Sequence, residues 1–327
     1  MRISRAGGLD HEIEPAISAE SSRWRLIGWV AVCAVLWGSA FPSIKLVFGH
    51  WAEQGAQADF ATRSLFAGVR FVAAGLVLLI IAQKPRQEWR ATPLRWIILM
   101  TATQTVGQYV CFYLGLSLSS GALASLLVAS GSFWWVLITP YFLGAPKLTL
   151  RQWLILALGA LGVTLAVYSP GVSEGSPRLG GALILLANLF SAFGLLAFQK
   201  IKPTMGSRAG TGFSLFLGGL VLVAMGTPAI AAGRLGLFDG YTLAITAWLA
   251  FVSAAAFSLW NHLSTIFPAP MLATYRFLVP LCGVFESLWL LDDERLTPAM
   301  MGGGAIVLFA MTLTQKPRST TRVRLKV

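Results

Sequence analysis

The amino-acid sequence predicts an all-α polytopic membrane protein with ten transmembrane helices. Of the 327 residues, 56% are hydrophobic and only 12% are charged, which leaves too few polar side chains to coat a water-soluble protein of this length. The mean hydropathy of +0.71 agrees with this interpretation. Ten apolar stretches follow one another with short connections. Each is about long enough to cross a hydrocarbon core of roughly 30 Å, which takes about 20 helical residues.

Helices rather than β-strands are expected in these stretches. Backbone groups inside lipid must form their hydrogen bonds within the segment, and the stretches lack the alternating pattern of a membrane β-strand. The predicted spans are 26–48, 61–83, 96–115, 120–143, 151–168, 179–200, 211–232, 243–265, 269–291 and 297–315.

The basic residues predict the orientation in the membrane. With a cytoplasmic N-terminus, the outer segments hold only Arg178, Arg234 and Arg295. All other basic residues outside the spans then fall on the cytoplasmic side, as the positive-inside rule requires, so both termini are expected in the cytoplasm. The formal charge of +12 therefore needs no nucleic-acid partner. Residues 1–25 are predicted to be a disordered cytoplasmic tail without a secretory signal, and residues 316–327 a basic cytoplasmic tail.

The connection between the fifth and sixth predicted spans divides the chain near its middle. It runs from Tyr168 to Arg178 and is the richest cluster of turn-forming residues in the sequence. Residues 26–168 would form one five-helix repeat, 169–178 the connecting loop and 179–315 a second repeat. Because five is odd, the second repeat would enter the membrane from the opposite side. The sequence thus predicts two inverted repeats around a central cavity.

Three short motifs lie near the ends of predicted spans. They are Leu36-Trp37-Gly38-Ser39-Ala40-Phe41 followed by Lys45, the turn from Tyr113 to Leu127, and Asp293-Glu294-Arg295-Leu296-Thr297. In this order, across residues 26–315, they resemble the EamA-type family of the drug/metabolite transporter superfamily. The resemblance implies an inner-membrane exporter of small metabolites, with amino acids and their relatives as the leading class.

The chain departs from the pattern of this family at two places. The resemblance predicts an acidic–basic pair before Leu148 and a proline in the middle of the fourth helix. The sequence has Ala145-Pro146-Lys147 and Ser132 there, whereas its second half keeps Glu294-Arg295 and Pro280. The fourth helix is therefore expected to be straighter than in typical relatives.

Charged side chains within the predicted spans are the first candidates for function, because a charge at the bilayer centre costs roughly 2.5–3.5 kcal/mol on insertion scales. They are Lys45, Arg63, Arg70, Arg276 and Glu286. The excess of positive charge favours a solute with a carboxylate or another anionic group. Two alternatives stay open. Lys45 and Arg63 could extend to the membrane interface, and Glu286 could be a salt-bridge partner of Lys45, Arg63 or Arg70 rather than a proton-coupling group.

The third helix carries a polar stripe at helical spacing. Thr101, Gln104, Thr105 and Gln108 share one face, which either bonds to neighbouring helices or lines an aqueous cavity. With other polar and aromatic residues at similar depth, two sets of candidates result. The predicted substrate-binding residues are Trp37, Lys45, Arg70, Gln104, Gln108, Ser132, Trp135, Asn188 and Arg276. The predicted gating or proton-coupling residues are Arg63, Asn261, His262 and Glu286. Helix packing is the alternative role for the tryptophans and for His262.

The expected function is secondary active or facilitated transport. The sequence has no zinc-binding motif, no phosphate-binding glycine loop and no ATP-binding domain, so we expect neither enzyme activity nor a cofactor or metal. The expected partners are a small-molecule substrate and the lipid bilayer, with protons as one option for the coupling ion. The oligomeric state stays open. Two alternatives also stay open: a multidrug exporter of organic cations, and a membrane scaffold or enzyme.

Overall fold

A computed structural model describes residues 10–56, 58–142, 147–167, 176–266 and 278–315. Within these ranges the chain is helical throughout its regular structure and has no strand, which confirms the predicted all-α class. The helices are α1 (Asp10–Glu53), α2 (Phe60–Ile81), α3 (Pro85–Ala91), α4 (Leu94–Met100), a π-helical segment (Thr101–Gly107), α5 (Gln108–Ser117), α6 (Gly121–Val128), α7 (Gly131–Phe142), α8 (Leu150–Val167), α9 (Pro177–Ile201), α10 (Ser207–Ala231), a 3₁₀ turn (Arg234–Leu237), α11 (Gly240–Ile266), α12 (Leu278–Leu290) and α13 (Pro298–Gln315).

Seven helical segments of the described chain are long and apolar enough to cross a membrane. They are Arg25–Glu53, Phe60–Ile81, Leu94–Ser117, Gly121–Phe142, Arg178–Ile201, Ser207–Ala231 and Gly240–Leu263. Three shorter apolar helices, Leu150–Ala166, Leu278–Leu290 and Pro298–Ala310, overlap the other three predicted spans. The predicted ninth span, 269–291, begins outside the described residues. The protein is therefore a multi-pass membrane protein.

Helix α1 differs from the sequence prediction at its start. It begins at Asp10, so helix extends into the segment 1–25 that the sequence predicts to be disordered. The part that is apolar enough to cross a membrane begins only at Arg25. The glutamates and alanines of this segment favour a helix, whereas Pro15 does not.

Glycine residues let α2 and α10 pack closely. A Cβ atom placed on Gly75 would lie 2.4 Å from the backbone nitrogen of Phe216, and one on Gly68 would lie 2.6 Å from the nitrogen of Val223. Helices α8 and α13 meet in the same way, since a Cβ atom on Gly162 would lie 2.8 Å from the carbonyl oxygen of Gly303. Small residues permit such contacts between membrane helices, where van der Waals packing takes the place of the hydrophobic effect.

The remaining large contacts surround the middle of the bundle. Helix α1 packs against α11 and α12, while α9 packs against α4, the π segment, α5, α6 and α7. Helix α6 also contacts α12, and α11 also contacts α2. Helices α1 and α9 thus each contact the middle part of the other half of the chain.

The third and fourth spans are not regular α-helices. The third continues from Leu94 to Ser117 through the π segment, and the fourth is broken by a turn at Ala129 and Ser130. Asn188 of α9 donates to the Leu127 carbonyl at 2.9 Å and to the Ser130 hydroxyl at 3.0 Å. The fourth span is therefore broken although it has Ser132 where the resemblance predicts a proline. An amide from a neighbouring helix, and not a proline, stabilises the break.

Two groups of connections mark the ends of the bundle. We call one the His50 end, where the His50 ring lies 2.7 Å from the Asp239 carboxylate. The backbone N–H of Thr242 also donates to Asp239, at 2.9 Å. These two hydrogen bonds, that from Thr242 first and that with His50 next, hold the pKa of Asp239 well below its ordinary value.

The other end, which we call the Trp89 end, joins α3 to the connection between α9 and α10. The Glu88 carboxylate accepts from the backbone N–H of Gly206 at 2.8 Å, and the Thr92 and Thr204 hydroxyls are 2.8 Å apart. The ring of Trp89 packs against Phe213 of α10. The two halves of the chain are thus in contact at both ends.

Candidate binding cavity

A cavity of about 120 Å³ lies among the helices of both halves. Residues of α1, α2, the π segment, α5, α6, α9, α11 and α12 line it. Its polar side chains are Arg70, Gln104, Gln108, Asn188, Ser191 and Asn261, and its aromatic side chains are Trp37, Phe41, Tyr109, Phe112, Phe257 and Trp260. An apolar wall with a few polar groups is typical of sites for small molecules.

Arg70 is the charged side chain of the cavity wall. It is only 3% exposed, and its guanidinium donates to the Ser253 hydroxyl at 3.1 Å and to the Tyr113 hydroxyl at 2.9 Å. The guanidinium also lies over the ring of Phe71, 4.5 Å from its centroid. In the described part of the chain no carboxylate lies within 4.0 Å of it, and no described residue of the cavity wall is Asp or Glu. The buried cation therefore attracts an anion.

Gln104 and Gln108 add two hydrogen-bond acceptors to the wall. Both belong to the third span, and the side-chain oxygen of each is buried without a donor among the described residues. Gly194 of α9 lets this span approach, because a Cβ atom there would lie 2.5 Å from the Cβ of Gln104. A buried acceptor without a partner costs about 1–3 kcal/mol. The two oxygens are therefore ready to accept from a bound solute or from water.

The π segment separates the polar stripe of the third span into two groups. The Thr105 hydroxyl lies 2.9 Å from the Ser214 hydroxyl of α10, so Thr105 binds a neighbouring helix. Gln104 and Gln108 line the cavity instead. Of the stripe residues, Thr105 therefore bonds to a neighbouring helix, whereas Gln104 and Gln108 line a cavity. π-helical segments recur at functional sites because they shift side chains relative to an α-helix.

Aromatic rings form much of the rest of the wall. Trp37 of α1 packs against Phe257 and Trp260 of α11, with ring centroids 5.3 and 5.5 Å apart. Phe41, also of α1, packs against Phe112 of α5, with ring centroids 5.7 Å apart. These rings offer π faces to an apolar or cationic part of a solute.

Several predicted residues lie away from the cavity. The Lys45 amine donates to the Ser119 carbonyl at 3.2 Å, and the Arg63 guanidinium donates to the Ser117 hydroxyl. Both contacts fasten the connection between the third and fourth spans at the His50 end. Trp135 is half-buried in α7 and is not part of the described wall.

Glu286 does not form the salt bridge that the sequence suggested. Within the described chain it makes no ion pair with Lys45, Arg63 or Arg70. Its carboxylate lies instead against α1, because a Cβ atom on Gly38 would be 2.9 Å from the Oε1 atom of Glu286. The sequence left a salt bridge of Glu286 open, but the close approach of α1 and α12 at Gly38 places the carboxylate between these two helices.

The remaining predicted residues lie near the cavity or outside the described structure. Asn261 lines the cavity and donates to the Thr211 hydroxyl of α10. His262, the next residue, is exposed. Arg276 lies outside the described residues, as does the side chain of Ser132.

Sequence reasoning did not single out Tyr109, although it lines the cavity beside Arg70, or Tyr113 and Ser253, which bind Arg70. Tyr109 directly follows Gln108, and Tyr113 lies one helical turn further along the chain. This spacing extends the polar stripe by one more turn and would have indicated them. Ser253 carries no comparable pattern, since it lies among alanines of α11.

Comparison with known proteins gives one family match, in the first part of the chain. Residues 24–168 match the EamA-like transporter family. No curated protein matches the sequence. Among solved structures, the crystal structure of a protein with 16% sequence identity matches with a TM-score of 0.52, over 87% of this chain and 94% of that chain. This likeness shows a shared fold that extends beyond residue 168.

Proposed function

We propose that the chain is a secondary active or facilitated transporter that exports small carboxylate-bearing solutes, such as amino acids or their relatives. It works by alternating access, in which the cavity opens in turn to each side of the membrane. The match of residues 24–168 to the EamA-like transporter family supports this proposal. The family implies a small-molecule substrate and a bilayer as partners.

Helix packing supports two inverted repeats of five spans. In this arrangement each span of the first half corresponds to one span of the second. The pairs are α1 with α9, α2 with α10, α4–α5 with α11, α6–α7 with α12, and α8 with α13. The contacts α2–α10 and α8–α13 then map onto themselves, α1–α12 maps onto α6–α9 and α7–α9, and α1–α11 maps onto α4–α9 and α5–α9. We place the repeats at 26–168 and 179–315, the connecting loop at 169–178, and cytoplasmic tails at 1–25 and 316–327.

Charge supports an orientation in the inner membrane. The Trp89 end carries most of the basic connections, including Lys84, Arg86, Arg90 and Arg208, so we place it in the cytoplasm. The His50 end then faces outward, and both termini are cytoplasmic.

The buried guanidinium of Arg70 is the observation that carries the proposed substrate class. A cation that is hydrogen-bonded only to hydroxyls and stacked on a ring keeps its full attraction for an anion in a medium of low dielectric. The free oxygens of Gln104 and Gln108 suit the N–H groups of the same solute. A zwitterion would bind both sites and place its apolar part against Trp37 and Phe257.

Counterflow in proteoliposomes tests the proposal. Purified protein is reconstituted, vesicles are preloaded with one member of a panel of amino acids, other carboxylates, phosphate esters and organic cations, and uptake of labelled tracer is followed. We expect accumulation of a carboxylate-bearing solute. In Arg70→Gln we expect uptake to fall at least about tenfold, since hydrogen bonds to charged groups contribute about 1.5–3 kcal/mol. Arg70→Lys should retain part of it.

The matched control is Arg208→Gln, which removes an exposed arginine of the Trp89 end and should leave uptake unchanged. Accumulation of organic cations alone would contradict the proposed substrate class. It would favour a multidrug exporter, with Glu286 as the candidate residue for binding the cation. If the folded protein accumulates no compound of the panel, the result would contradict transport and favour a membrane scaffold or enzyme.

A further inference from the structure

A second, smaller pocket lies next to the cavity on the side of the His50 end. It has a volume of about 10 Å³, which is about enough for one water molecule. Tyr109 lines both the cavity and this pocket. The small pocket is also lined by Arg63 and Tyr113. The two spaces are therefore neighbours with one tyrosine in common.

Arg63 brings a second cation to this pocket. It is on the same face of α2 as Arg70, two turns away, which corresponds to about 10 Å along the helix. One nitrogen of its guanidinium donates to the Ser117 hydroxyl, while its Nε atom is buried and has no acceptor in the described structure. Arg63 forms no ion pair within the described chain. It therefore keeps an unused donor and an unpaired charge beside the pocket.

Asp59 is the acid that attracts Arg63 at longer range, but its oxygens are engaged elsewhere. One accepts from the backbone N–H of Thr62 at 2.8 Å, which caps α2. The other lies 3.7 Å from the Arg234 guanidinium. An anion near Arg63 consequently does not have to displace Asp59.

Tyr113 separates the two arginines. Its hydroxyl binds Arg70, and its ring packs against Phe48, Phe66 and Phe112 with centroids 5.9–6.3 Å apart. The side chain is almost fully buried. Tyr113 thus contacts Arg70 through its hydroxyl and lines the small pocket together with Arg63.

We propose that Arg63 is a second anion-binding station between the cavity and the His50 end, which receives a carboxylate or another small anion when this end of the protein opens. Release from a buried site is faster when a second weak site lies next to it, as in other membrane pathways. That the anion is the transported solute rests on the proposed function. The binding of an anion at Arg63 is independent of the proposed function.

Thiol modification tests the station without any transport assay. In a chain with Cys33, Cys111 and Cys282 replaced by alanine, Ser117→Cys places a thiol at the Arg63 guanidinium. Methanethiosulfonate reagents carrying either a sulfonate or a trimethylammonium group are added to intact cells. We expect the anionic reagent to react about tenfold faster than the cationic one, after correction for their rates with free cysteine, because the local positive potential concentrates anions.

The preference should disappear in Arg63→Gln and persist in Arg63→Lys. Ala52→Cys, an exposed position at the end of α1, is the matched control whose rates should not depend on Arg63. A preference that is unchanged in Arg63→Gln would overturn the station. A thiol at position 117 that reacts with neither reagent would also overturn it, since the station must be open to the outside.

Transport assays then separate the station from the proposed function. In Arg63→Gln we expect the solute-induced change in tryptophan fluorescence, to which Trp37 and Trp260 of the cavity contribute, to give an unchanged affinity for the solute. Counterflow should fall about tenfold. If the wild-type protein moves no carboxylate but the thiol preference holds, the proposed function fails and the station stands. If carboxylates move and the preference is absent, the station fails alone.

Discussion

Gln104 and Gln108 show how a binding residue can oppose stability. Each keeps a buried amide oxygen without a donor in the described structure, although a folded protein normally pairs such groups. Arg70 is similar, because hydroxyls and rings surround it where a carboxylate would neutralise it. Such residues are expected at binding sites. They strengthen ligand binding but lower the stability of the protein without its ligand.

Gln104→Met should therefore separate stability from binding. Methionine has about the same shape without the buried oxygen, so we expect the free energy of unfolding to stay equal or rise by up to about 1 kcal/mol. The affinity for the transported solute should fall about tenfold. Thermal unfolding in detergent and solute-induced tryptophan fluorescence measure the two quantities.

Gln152→Met is the matched control for this substitution. The Gln152 oxygen accepts from the backbone N–H and the hydroxyl of Thr149 at the start of α8. Its removal should cost about 1 kcal/mol and leave binding unchanged. A loss of stability in Gln104→Met as large as in Gln152→Met would show that the cavity oxygen has a structural partner.

The stability of the protein should depend on pH through Asp239 at the His50 end. Hydrogen bonds from the Thr242 backbone N–H and with the His50 ring lower its pKa below the ordinary 3.8. A carboxylate whose pKa is lower in the folded state adds stability above its unfolded pKa, and this stability is lost as pH falls below that value. The unfolding temperature of the wild type should thus drop more steeply than that of Asp239→Asn between about pH 5 and pH 3. Asp292→Asn, at another exposed connection, should follow the wild type; equal slopes in all three would contradict the prediction.

Among the elements, α2 and α10 depend most on the absence of side chains at their contact. Gly75→Ala would place a Cβ atom 2.4 Å from the Phe216 backbone nitrogen, which cannot move without shifting α10. We expect a loss of about 1–3 kcal/mol in the free energy of unfolding. Gly28→Ala is the control, because nothing lies within 4 Å of a Cβ atom there and alanine favours helix by roughly 0.5–1 kcal/mol. A lower unfolding temperature for Gly28→Ala than for Gly75→Ala would refute this account of the packing.

The helices could be predicted from sequence, but the irregular ones could not. Apolar length predicted the seven segments that are long and apolar enough to cross a membrane, and helical spacing brought Gln104 and Gln108 to one face. The π segment and the break near Ser130 depend on hydrogen bonds that leave the usual pattern. At the break, the donor is Asn188, which lies far along the chain. Since only tertiary contact brings this amide to the fourth span, no local pattern indicates the break.

The same reason explains which cavity residues were predictable. Arg70 was predicted to be a functional residue because a charge within a membrane span is energetically costly. This argument does not depend on the direction of the side chain. It could not separate Arg70 from Lys45, which lies on α1 at the His50 end and donates to a connection. The difference between the two lies in the direction of each side chain, and the packing of α2 against α10 and α11 determines it for Arg70.

At the scale of the whole molecule, the cavity exists only where the two halves meet. Trp37, Arg70 and Gln104 come from the first half, whereas Asn188 and Asn261 come from the second. The closest helix contacts, α2 with α10 and α8 with α13, also join the halves. A half on its own would expose glycine-lined faces that fit only the other half.

This dependence predicts that the halves fold together. If the chain is expressed as two fragments cut between residues 171 and 172, we expect neither fragment alone to accumulate as a monodisperse species. Co-expressed, they should copurify through a tag on one fragment and bind the solute that the intact chain binds. Gly75→Ala in the first fragment should weaken copurification, because it disturbs the contact with α10, while Gly28→Ala should not. A first fragment that is stable and monodisperse alone would mean that the repeat needs no partner half, and that the contacts between α2 and α10 add little to the fold.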